Sequence, residues 1–176
     1  ADGYKRQQAD LPGYLDDHAF MLDALIELQQ ARLDSQRMAW ATRLGDVLLE
    51  QFEDPRVGGF FFTAADHESL IQRPRTFTDD ALPSGNGIAA LALNRLACLV
   101  GEPRYSKAAE RAVRAGAEQL EQTAAAQCAL LDALDELIEP PEVVVVRADD
   151  NALEHWMEVA NAAYQPNRLV FTPPVD

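Results

Sequence analysis

From Leu15 to Leu33 the apolar positions are Leu15, Ala19, Phe20, Met21, Leu22, Ala24, Leu25, Ile26, Leu28, Ala31 and Leu33, which cover well over half of a helical circumference. The spacing predicts a helix buried on more than one side. Asp34-Ser35 offers an N-cap for a second helix ending near Phe52, whose stripe of Trp40, Leu44, Val47, Leu48 and Phe52 is narrow, as on a surface helix. A third, about Ser84 to Val100, is apolar nearly all round. Gly101 suits its C-cap, and Pro103 suits the first turn of a fourth helix, where a missing N–H costs nothing. The fourth again shows one stripe: Tyr105, Ala109, Ala112, Val113, Gly116 and Leu120. The fifth, Ala124 to Ile138, returns to the broad kind. Inner helices touch neighbours on most sides and outer ones only inward, so this alternation predicts an α/α toroid, or part of one. A four-helix bundle would show one kind of stripe throughout, and a tetratricopeptide solenoid would show a repeat of about 34 residues.

The helical pattern is interrupted once. Asp54 to Gly59 breaks it, Phe60 to Thr63 reads as a strand, and Ser69 to Arg73 as a return strand stopped by Pro74, giving a β-hairpin at about 58–73. After Pro140-Pro141 the character changes. Val143 to Val146, Ala152 to Ala163 and Leu169 to Phe171 predict a strand, a helix and a strand, a small βαβ unit. The expected fold is mainly α: a partial (α/α) toroid of antiparallel helix hairpins over 1–139 with an inserted β-hairpin, then a small α/β appendage over 140–176.

Composition narrows the partners. Of 176 residues, 15 are Lys or Arg and 29 Asp or Glu, a formal charge of 15 − 29 = −14, which repels nucleic acid and anionic membrane surfaces. No apolar run approaches the roughly 20 residues that span a bilayer. A cytoplasmic location is expected. The start, Ala1 to Arg6, has no initiator Met and no signal pattern, so the chain reads as a piece of something longer. Cys98 and Cys128 lie in Ala/Leu-rich helical patterns with no C-x-x-C and are read as small buried thiols.

Candidate chemistry gathers at Asp79-Asp80-Ala81-Leu82-Pro83-Ser84-Gly85-Asn86-Gly87, a polar entrance to the most apolar helix. In a toroid the starts of the first and third helices share one mouth, bringing Asp16 and Asp17 near Asp79, Asp80, Ser84 and Asn86. Paired carboxylates suit glycoside hydrolysis, one as acid and one as base or nucleophile, and an acid beside a base suits epimerisation. Carboxylates at helix starts equally serve ligand binding without chemistry, or capping alone. Arg73 and Arg75 leave the hairpin just before the acidic pair. They suit a carboxylate or phosphate ligand, or internal salt bridges to Asp79 or Asp80. Phe60 to Phe62 can stack on a sugar ring or pack on the helices. His18, His67 and His155 lack metal-ligand spacing, so no metal is expected.

Taken in order and spacing, Leu15 to Phe20, Gly58 to Thr63 with Asp66-His67, Arg73-Pro74-Arg75 and Asp79 to Asn86 resemble the C-terminal part of the YyaL and spermatogenesis-associated protein 20 family. The resemblance runs from about Pro12 to Phe171. It implies a helical toroid of the six-hairpin-glycosidase type, similar to N-acylglucosamine 2-epimerases and joined to an N-terminal thioredoxin-like domain that this chain lacks. The first expectation is therefore that the polar mouth binds a carbohydrate or related polar metabolite, with His18, Arg73, Arg75, Ser84 and Asn86 as candidate binding residues and no cofactor. The alternative is a non-catalytic helical scaffold that docks or presents the thioredoxin-like domain. His18 stands where the family has Tyr, and Gly87 where it has Ser. Five helices are too few for six hairpins, so an open apolar face and a homodimer through it are expected.

Overall fold

The computed structural model describes residues 13–66, 73–163 and 165–173. It is mainly helical, with α1 (Leu15–Ala31), α2 (Ser35–Val47), α3 (Gly85–Val100), α4 (Pro103–Thr123), α5 (Cys128–Ile138) and α6 (Asp150–Ala160), and strands β1 (Glu142–Val145) and β2 (Arg168–Phe171). A π-helical turn, Leu48–Phe52, follows α2, and a 3₁₀ turn, Ala124–Ala126, precedes α5.

α3 is the hub because its sequence is apolar on nearly every side. Ala89 to Leu93, Leu96 and Ala97 are buried around its whole circumference, and it packs on α1, α2, α4 and α5. Its ends are fixed locally. The Ser84 hydroxyl accepts from the Gly87 N–H at 3.1 Å, and Gly101 takes the left-handed conformation at φ 71° that ends the helix. Pro103 then opens α4, whose buried stripe is the predicted one, with Ala108 added.

Contacts fix the direction of the broad helices. Asp16 of α1 lies against Gly85 of α3, while Glu27 and Asp23 further along α1 reach Arg95. Gly87 of α3 faces Ala129 and Leu130 of α5, and Arg95 faces Glu136. α1, α3 and α5 therefore run parallel with their starts gathered at one end. The approach of α3 to α5 is close enough to need Gly87, since a Cβ there would come within 2.6 Å of the Ala129 Cβ and 2.8 Å of its carbonyl carbon. A serine at that position would require α5 to shift.

Several expectations are corrected. Trp40 is 45% exposed, and the buried side of α2 is instead Ala41 and Gly45, continuing to Leu48 and Phe52. Gly45 is what lets Leu96 and Tyr105 approach there. Cys98 and Cys128 are exposed free thiols. The predicted strand Phe60 to Thr63 is irregular, with one antiparallel bridge from Phe60 to Glu53 rather than a ladder. Consecutive aromatics signal a strand, but here Phe60 is buried in the core, Phe61 lies under the Arg73 guanidinium and Phe62 packs against the core edge and Tyr14. The return arm falls largely on 67–72, outside the described residues; the Phe62 N–H donates to the Pro74 carbonyl at 2.8 Å.

The C-terminal βαβ unit is present. β1 and β2 pair in parallel, Val143 with Leu169 and Val145 with Phe171, with α6 between them in sequence. β2 is its buried half. Leu169, Val170 and Phe171 are buried, and the Val170 N–H donates to the Gln30 side chain at 3.0 Å, which ties the sheet to α1.

Candidate functional site

The gathered starts of α1, α3 and α5 form a polar end, and most of its side chains are spent on backbone. Asp79 accepts from the Ser84 N–H at 2.8 Å through one oxygen and from the Ala129 N–H at 3.1 Å through the other. One carboxylate thus serves the entries of two helices. Asn86, 1% exposed, accepts from the Phe60 N–H at 2.6 Å and donates to the carbonyls of Phe60 and Thr76, both at 2.9 Å. It is a cross-brace that holds the irregular 53–63 segment on α3, and its amide has no donor left over.

The two arginines are also committed. Arg75 donates to buried Asp54 at 3.0 Å and to the Gly58 carbonyl at 2.6 Å. Arg73 donates to the Gln51 carbonyl at 3.0 Å and to the Thr63 carbonyl, and its guanidinium lies 4.3 Å from the Phe61 ring centre. Neither forms the salt bridge to Asp79 or Asp80 that their spacing suggested, because Asp54 and the freed carbonyls of the preceding turns lie closer. Asp54 takes backbone N–H bonds from Arg56 and Val57, which, with Arg75 and against some burial, hold its carboxyl below the usual carboxylate range.

At the start of α1, Asp17 accepts from the Tyr14 N–H at 2.8 Å as a cap. The His18 Nδ1 bonds the Tyr14 carbonyl at 2.8 Å, and its ring tilts on Phe52 at 4.9 Å. Tyr14, 44% exposed, stacks on Phe62 with ring centres 4.7 Å apart and planes within 10°. Partial burial, and then the adjacent charge of Asp17, push the Asp16 carboxyl upward. Asp16 and exposed Asp80 are the carboxylates of the predicted set that accept no hydrogen bond among the described residues. The structure brings Asp16, Asp79, Ser84 and Asn86 to the start of α3, while Arg73 and Arg75 turn away toward 51–63. No group of three or more His, Cys, Asp or Glu is placed to hold a metal among the described residues.

A second polar cluster lies further along the same helices. Arg95 of α3 grips Glu136 with Nε at 2.9 and 3.2 Å and with a second nitrogen at 2.7 Å, and reaches Glu27 at 2.9 Å. Glu136 is 2% exposed. The signal was available: Asn94-Arg95 is the polar pair inside the most apolar helix, and a charge there needs partners.

Over 161 residues, 90% of the chain, the sequence is 27% identical to spermatogenesis-associated protein 20 of Mus musculus, and the same holds for the proteins of Rattus norvegicus and Homo sapiens. The chain is similar to the spermatogenesis-associated protein 20 family. It spans about a fifth of the length of these relatives, 20%. No family model matches the chain. No described helix is long and apolar enough to cross a membrane.

Proposed function

We propose that this chain is a helical scaffold, one arc of an α/α ring with α1, α3 and α5 as its inner layer, and that its polar signature is architectural. The observation that supports this most is Asp79, whose two oxygens cap the entries of α3 and α5 at once. A carboxylate so engaged has little left for acid–base work on a ligand. Asn86, Arg73 and Arg75 are committed in the same way. Met21, Leu28 and Trp40 on one side and Ile138 on the other stay exposed, and these are the surfaces on which further helices, a thioredoxin-like domain or a second copy would pack.

Carbohydrate binding is the second reading, and one grouping favours it: the stacked, half-exposed Tyr14 beside Phe62, with Asp16 nearby in sequence and raised in pKa. Titration of a sugar panel into the chain, followed by thermal shift, separates the two. The scaffold reading expects no sugar to raise the melting temperature, and Asp79→Ala to lower it while association with a separately made thioredoxin-like domain of a relative persists. A sugar-induced rise that Asp16→Asn abolishes would instead establish the binding reading.

A further inference from the structure

The Arg95 cluster is oversupplied with negative charge. α1 contributes Asp23 and Glu27, α5 contributes Glu136, and one guanidinium from α3 serves all three. The adjoining cavity of about 520 Å³ adds Asp132 and Asp135 from α5 and Arg168 from β2, but Arg168 is taken by Glu142 at 2.7 Å and by the Ala160 carbonyl. Cys98, three residues on in α3, brings no positive charge.

The three carboxylates are not equally provided for. Both Glu136 oxygens receive Arg95, and Glu27 receives Arg95 on one oxygen and Gln30 on the other at 2.8 Å. The Oδ1 of Asp23 is buried without a hydrogen-bond donor, and Arg95 stands 3.9 Å away. A protonated Asp23 would become a donor among acceptors.

We propose that this junction is a proton-dependent clasp between α1 and the α3–α5 pair, which binds a proton at Asp23 as pH falls and grips more tightly when it does. Burial, reinforced by Glu27 and opposed by Arg95, pushes the Asp23 carboxyl above its ordinary value. A group raised in this way takes its proton first in the folded state. Its contribution to stability therefore grows as pH falls from neutrality toward the unfolded value of about 3.9, and is lost as pH rises through the folded one.

The test compares melting of the chain and of Asp23→Asn across pH, a difference in which the general effect of acid on a chain of charge −14 cancels. Near pH 7.5 the variant should melt higher, by roughly 2–4 °C, and the gap should close as pH approaches about 4. A variant that melts at or below the wild-type temperature near neutrality overturns the proposal. If the variant does not fold, the carboxyl carbon of Asp23 in the unaltered chain can be titrated by NMR. A midpoint above about 3.9 supports the clasp, and one at or below it overturns the clasp.

Discussion

α3 carries two polar clusters that solve opposite problems. At its start, Asp79, Ser84 and Asn86 meet mostly backbone groups, and donors and acceptors are matched. Further along, Arg95 meets side-chain charges, and acceptors outnumber donors. Backbone partners come with fixed geometry and no net charge, so the first cluster defines where the loops go. The second fixes how α1 and α5 stand relative to α3, at the expense of electrostatic balance. Burial of polar groups is thus a means of placement in one case and a source of tension in the other.

The largest effect should come from Arg95→Met, which strands Glu136 in a buried site. A loss of about 3–5 kcal/mol is expected in urea unfolding; a near-neutral result would mean that the cluster is not under charge stress at all. Asn86→Ala comes next. It leaves the Phe60 N–H and the Phe60 and Thr76 carbonyls unpaired, and about 3 kcal/mol should be lost, with exchange of the Phe60 amide accelerated. Gly87→Ser follows, at about 2 kcal/mol, because α5 must retreat and take the Ala129 N–H away from Asp79. Restored protection of that amide in Gly87→Ser would contradict the close contact.

The smallest difference sharpens the contrast by sign. Asp54 is held below its usual value, so its contribution is present above the unfolded value of about 3.9 and disappears as pH falls through the folded one. Melting of Asp54→Asn should therefore converge on that of the unaltered chain in acid. The two aspartates load the pH profile in opposite directions, Asp54 toward neutrality and Asp23 toward acid.

Helix boundaries were legible wherever a local signal sets them. Asp34 caps α2 by accepting from the Arg37 N–H at 2.9 Å, and Ser84, Gly101 and Pro103 act where their chemistry suggested. The βαβ unit was equally plain, since valine runs beside a double proline leave few alternatives. What escaped was nonlocal. Three phenylalanines in a row look like a strand until Asn86, twenty-six residues on, takes both backbone groups of Phe60. The polar residues before and at the entrance of α3 announced a site, but which partner each would meet depended on the Asp54 carboxylate and Gly58 carbonyl for Arg75 and on the Ala129 N–H for Asp79, none of which is close in sequence.

The π-helical turn Leu48–Phe52 is a place where one extra residue has been absorbed into a helix. The carbonyls at its end are free to work for the loop: Gln51 accepts from the Ala65 N–H at 2.9 Å and from Arg73, and Phe52 accepts from the Phe61 N–H at 2.8 Å. Deleting one residue here would restore a regular helix and rotate all that follows by about 100°. The loop would then lose its anchors although every side chain in it was intact. The turn is thus a fixed joint from which the loop hangs.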